Sequence, residues 1–149
     1  MLKDIVLSFP LMPVSSNNAY VNRPTKGARG RFLTKEAAKF KDDIARLIQP
    51  QIFKKGMLSF DPKTEYLQAV YLFARPNIMT LKGSVAASRH DWDGFVKLTQ
   101  DTVTKCLGID DSYILDAKVF KRHSESPMIK VALSVKKLAH LIDESVYFN

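Results

Sequence analysis

Asp91, Asp93, Lys97 and Asp101 stand within the stretch DWDGFVKLTQD, and Asp110 and Asp111 follow shortly after in LGIDDSYI. Aspartate carboxylates are hard oxygen donors, so three or four converging on one spot would suit Mg²⁺ or Mn²⁺. The surrounding charge indicates what such an ion would serve. Residues 91–116 hold six of the chain's eleven aspartates and only Lys97 and Lys105 as cations, a local charge of −4 against +12 for the rest and +8 overall. A basic body attracts a polyanion, and an acidic patch within it can hold metal where that polyanion lands. The chemistry this combination favours is metal-assisted phosphodiester hydrolysis. The plain alternative is a solvated acidic surface.

The spacing predicts a helix from about Trp92 to Leu107, with Trp92, Val96, Thr99, Val103 and Cys106 as its apolar stripe and Gly108 as the terminating residue. On that helix Asp93, Lys97 and Asp101 follow at i, i+4 intervals along the opposite face. As a solvated row of ion pairs they would contribute only about 0.2–0.5 kcal/mol each. Asp91 and Asp93, two residues apart at the helix entrance, would repel each other unless positive charge stood between them. The helix N-terminus supplies part of that charge, and a divalent cation would supply the rest. Lys97 either orients an attacking water or neutralises charge on a phosphate, or it is an ion-pair partner of Asp93 or Asp101. Asp110 and Asp111 read as turn residues by themselves, although packing of the next strand beside the helix would let one of them reach toward Asp91 and Asp93.

The elements that must carry these residues are legible in outline. KDIVLSF (3–9) alternates as a first strand with Ile5, Leu7 and Phe9 on one face, stopped by Pro10 and Pro13. Residues 14–32 read as a loop, in which Arg23, Lys26, Arg29 and Arg31 form a glycine-loosened basic segment suited to phosphates. Thr34 caps a helix through about Ile48, with Ala37, Phe40, Ile44, Leu47 and Ile48 inward and Pro50 ending it. EYLQAVYLFA (65–74) has the two-sided apolarity of a central strand. Residues 77–90 read as a long loop, and strands are expected over roughly 113–121 and 128–136, the last turning Ile129, Val131, Leu133 and Val135 inward. The order β-α-β-α-β-β implies a two-layer α/β (α+β) domain over residues 1–149, a mixed sheet with helices on one face. The tail from Lys137 would form a short helix and fray, or extend over a partner subunit; LAHLIDESVYF is a candidate interface.

With 149 residues, 46% of them hydrophobic, the chain can build one ordinary core. Its apolar runs are too short to span a membrane, and the acid in MLKDIVLSFP interrupts any signal-peptide core, so a cytoplasmic location is expected. Cys106 is the only cysteine, which excludes an intrachain disulfide and reads as a buried, inert thiol. His90, His123 and His140 lack metal-ligand spacing.

RHDWDGFVKLTQD, then GIDDSYI and VFK, resembles the signature of the RusA family of Holliday junction resolvases, R-x-D-x-D-N-x-x-K-x-x-x-D followed by D-D-x-x-V. PVSSNNAY is similar to that family's P-P-S-x-N-x-x-Y loop, and GRFLTKEA to its segment entering the first helix. The resemblance implies a small homodimeric, Mg²⁺-dependent endonuclease placing paired nicks across a four-way DNA junction, in a bacterial or phage-infected cell. By position it implies Asp91, Asp93 and Asp111 as metal-binding carboxylates, Lys97 as the essential lysine, and Asp101 as a further ligand or an anchor for Lys97. Arg89 would contact a phosphate and Asn17 or Asn18 would shape the approaching loop; Lys118 and Lys121 would extend the DNA contact. Gly94 stands where the family has Asn, which removes a side-chain donor. Two other readings stay open: a non-catalytic DNA-binding protein, and a nuclease acting on flaps or forks.

Overall fold

In the computed structural model, which describes residues 2–16, 20–22, 31–85 and 92–142, the first strand is β1 (Asp4–Phe9). Its alternation turns Ile5, Leu7 and Phe9 into the core and leaves Val6 half exposed. The segment read as a continuous loop contains two short strands, β2 (Tyr20–Asn22) and β3 (Arg31–Leu33), paired antiparallel with Asn22 opposite Arg31. This small ribbon flanks the basic RPTKGARG sequence.

Helix α1 (Lys35–Lys55) starts as expected, Thr34 Oγ1 accepting the Ala37 N–H at 3.2 Å, but it runs straight through Pro50. Proline removes one helical hydrogen bond and typically costs about 3 kcal/mol. Here the turns after it are docked on β1. The Gln51 amide donates to the Ser8 and Leu47 carbonyls at 2.8 and 3.1 Å and accepts the Ser8 N–H at 2.9 Å, and Lys55 Nζ donates to the Val6 carbonyl. These contacts also occupy outward hydrogen-bonding groups of β1, the Ser8 N–H and carbonyl and the Val6 carbonyl, covering part of that edge of the sheet. The helix ends instead at Gly56, whose φ of 94° suits glycine.

Strands β4 (Glu65–Arg75), β5 (Ile114–His123) and β6 (Met128–Lys137) complete a four-stranded mixed sheet ordered β1-β6-β4-β5, in which only β4 and β5 run parallel. Among the described residues no strand pairs with the outer edge of β5. Helix α2 (Trp92–Leu107) supplies the crossover between β4 and β5 and packs beside α1 on the same sheet face. The core lies between this helical layer and Ile5, Leu7, Phe9, Ala69, Tyr71, Phe73, Ile129, Val131 and Leu133. After β6 a 3₁₀ turn covers Leu138–Ile142, and the rest of the tail lies outside the described residues.

Helix α2 is rotated from the expected stripe. Phe95, Leu98, Thr99, Thr102, Val103 and Leu107 are buried, while Val96 and Cys106 are only partly so. Phe95 sets this rotation by packing its ring 5.4 Å from that of Phe73, with the Arg75 guanidinium 5.8 Å over it. Cys106 therefore only borders the core and also lines a cleft between the two helices with Lys41, Asp42 and Thr102, and burial pushes its thiol above the usual range.

Candidate active site

The outward face of α2 carries Asp93 and Lys97, both exposed, then Gln100 and Asp101, both half buried. Asp93 sits in the first turn, where its Oδ1 accepts the Gly94 N–H at 2.9 Å and meets one of the helix's unpaired donors. Gly94 itself is buried. At the other end, Gly108 adopts φ 67°, and the Ile109 N–H reaches back to the Thr104 carbonyl at 2.9 Å. That left-handed closure reverses the chain. Asp110 then caps a 3₁₀ turn over Asp111–Tyr113, its Oδ1 accepting the Ser112 N–H at 2.9 Å; the Ser112 side chain first, and this N–H with it, hold its carboxyl below the ordinary range.

The reversal returns Asp111 to the flank of α2. Asp101, Asp110 and Asp111 line an open groove of about 310 Å³ with Thr104, Lys105 and Ile109. Between Asp101 and Asp111 stands a polar link absent from the sequence reading: Tyr71 on β4, 1% exposed, donates its hydroxyl to Gln100 Oε1 at 2.6 Å, and Gln100 Nε2 extends to Asp111 Oδ2 at 3.5 Å. Burial, with the Asp111 and Asp101 charges adding to it, pushes the Tyr71 hydroxyl far above its ordinary value, so it stays protonated and donating. One signal for it existed. A tyrosine in an otherwise apolar central strand needs a partner for its hydroxyl.

Asp101 and Asp111 are thus neighbours, while Asp93 lies about 12 Å from Asp101 along the helix axis, with Lys97 between them. Asp91 lies outside the described residues, and among those described no three His, Cys, Asp or Glu side chains converge. No ion pair within 4.0 Å engages Asp93, Lys97, Asp101 or Asp111 among the described residues. The ion-pair reading of Lys97 is therefore not what the helix shows. An oxygen-only donor set left unneutralised in this way fits a hard divalent cation.

Of the expected DNA contacts, Asn17, Asn18, Arg23, Lys26, Arg29 and Arg89 lie outside the described residues, and Arg31 is placed only by its backbone in β3. Lys118 registers with Val70 and Lys121 with Phe73, so the two lysines lie on opposite faces of β5. Phe73 belongs to the core, which puts Lys121 on the helical side and Lys118 on the helix-free side. They do not form one contact surface.

Residues 10–134 match the family model described as Endodeoxyribonuclease RusA, a span containing both helices, the whole aspartate series and most of β6. No curated protein gives a significant match.

Proposed function

The chain belongs to the RusA family of Holliday-junction-resolving endodeoxyribonucleases, and from that premise we propose that it is a divalent-metal-dependent nuclease nicking four-way junctions as a homodimer. The observation that carries the metal and catalytic parts of this reading is the charged face of α2, where Asp93, Lys97 and Asp101 follow one another without ion-pair partners among the described residues. Carboxylates left so close in sequence without compensating cations favour an ion that supplies the missing charge. Asp91, Asp93 and Asp111 are the proposed ligands of Mg²⁺ or Mn²⁺; Asp101, about 12 Å from Asp93 along the helix axis and beside Asp111, would ligate on the Asp111 side. The bound ion would lower the pKa of a water and offset charge on the scissile phosphate.

Lys97 has a separate task. Its ammonium, one turn from Asp93 and one from Asp101, is available to a phosphate oxygen on the same face. The +12 remainder draws DNA toward the acidic patch, with Arg23, Lys26, Arg29, Arg31 and Arg89 as proposed phosphate contacts and Asn17 and Asn18 shaping the approach. Lys121 would join that helical-side surface, whereas Lys118 would need a second DNA arm or a different role. Paired nicking follows from a two-fold symmetric substrate meeting two equivalent sites. A bacterial or phage-infected cell is the proposed setting; among the described residues no helix is long and apolar enough to cross a membrane.

Cleavage of a synthetic four-way junction in Mg²⁺ and Mn²⁺ tests the reading. The wild type should cut it, and Asp93→Asn should bind it without cutting. An intact junction in both metals with binding retained would instead establish a non-catalytic DNA-binding protein, and preferential cutting of flaps or forks would redirect the substrate assignment.

A further inference from the structure

We propose that Tyr71 and Gln100 form a two-member relay that positions the Asp111 carboxylate for metal, so that a buried strand residue sets the site's affinity for its ion. The inference rests on the reading of Asp111 as a metal ligand and adds two residues to it. Gln100 lies within the aspartate-rich stretch, on the α2 flank against which Asp111 is folded. Its side chain is oriented from both ends: the Asp111 carboxylate, an acceptor only, takes the amide NH₂ on the groove side, and the Tyr71 hydroxyl donates to the amide oxygen on the strand side. The NH₂ then meets Asp111 Oδ2, leaving Oδ1 for an ion. Tyr71 is held without slack, 1% exposed and stacked at 6.1 Å on Phe73. Asp111 itself is exposed on a short 3₁₀ turn, where no other side-chain hydrogen bond or ion pair among the described residues restrains its rotamer.

The two residues act in series, which gives the relay a signature distinct from loss of packing. Gln100→Met keeps the side-chain length on the helix surface and removes both polar atoms; Tyr71→Phe keeps the ring and removes only the hydroxyl. Partners that orient metal ligands typically change affinity about 10–100-fold when removed, and the 3.5 Å link predicts the lower end, about tenfold. Mn²⁺ binding by the whole protein, measured calorimetrically without DNA, should weaken by that factor in each variant. The double variant should be no worse than the weaker single one within about twofold. The Mn²⁺ concentration for half-maximal junction cleavage should rise in parallel.

Gln100→Met with wild-type Mn²⁺ affinity overturns the relay, and Gln100→Met weakened while Tyr71→Phe is not overturns the role of Tyr71. Multiplying losses in the double variant overturn the serial arrangement. Asp111→Asn separates the two levels: if it cuts junctions as the wild type does, the functional reading of Asp111 falls and takes the relay with it. If it is inactive while Gln100→Met binds Mn²⁺ normally, the relay alone falls.

Discussion

Glu65 and the aspartates of α2 are carboxylates of one charge put to opposite ends. Glu65, at the start of β4 and 6% exposed, accepts from Lys3 and Lys137 at 3.0 and 2.7 Å and from the Asp61 N–H at 2.9 Å. Lys3 precedes β1 and Lys137 ends β6, so one glutamate ties three strands together at one end of the sheet. Among the described residues Asp93, Asp101 and Asp111 have no such lysines, although Lys97 is one turn away from two of them. Neutralised and enclosed, a carboxylate holds a fold; exposed and uncompensated, it is open to a charge from outside the chain.

Substitution by the isosteric amide should separate these uses. The largest effect expected is on the catalytic side: Asp93→Asn should lower junction cleavage by on the order of 10²-fold or more, since several kcal/mol of charge stabilisation would be lost. Its metal-free melting temperature should stay level or rise. Glu65→Gln should do the converse, lowering the melting temperature while leaving cleavage at moderate temperature unchanged. A Glu65→Gln protein that is stable but inactive would break the comparison.

Metal offers the next test, through stability. Saturating Mn²⁺ at about 100 times its dissociation constant should stabilise the wild type by about 2.7 kcal/mol, and Asp93→Asn by much less, as read by thermal melts with and without the ion. Acid should act through Glu65. Its lysine partners, first Lys137, and the Asp61 N–H hold its pKa at about 2 against an ordinary 4.5. The stabilisation it gives is complete above pH 4.5 and is lost as pH falls from there through 2, because the unfolded chain takes up the proton first. Glu65→Gln should flatten that part of the stability profile.

The smallest effect concerns the inward side of α2. Thr99 is fully buried, and its Oγ1 has no hydrogen-bond partner among the described residues. Thr99→Val should therefore stabilise the protein by about 1 kcal/mol in denaturant titration without altering cleavage. A loss of activity would move Thr99 from the core to the site.

How much of this could be read from sequence depended on the range of the interactions. Local rules carried the Thr34 cap, the Gly108 reversal, the charged row on α2 and the alternation of β1 and β6. Pro50 misled because its compensation comes from Ser8, far away in sequence. The inward face of α2 was misjudged because Phe95 is positioned by Phe73 and Arg75 of another element. Lys118 and Lys121 were joined by proximity in sequence, although an odd spacing along a strand sends them to opposite faces. Gln100 was overlooked because its meaning depends on Tyr71, twenty-nine positions earlier.

The partly covered edge of β1 bears on how copies of this chain can add to one another. A sheet with both margins open could be lengthened without limit, each copy offering a fresh margin to the next. With Gln51 and Lys55 on the Ser8 and Val6 groups of β1, strand addition to the four-stranded sheet meets less obstruction at the β5 margin among the described residues, and two copies joined there would each turn the partly covered β1 edge outward. Assembly by that route is disfavoured beyond two, because the residues that carry α1 past its proline also cover part of a growth end.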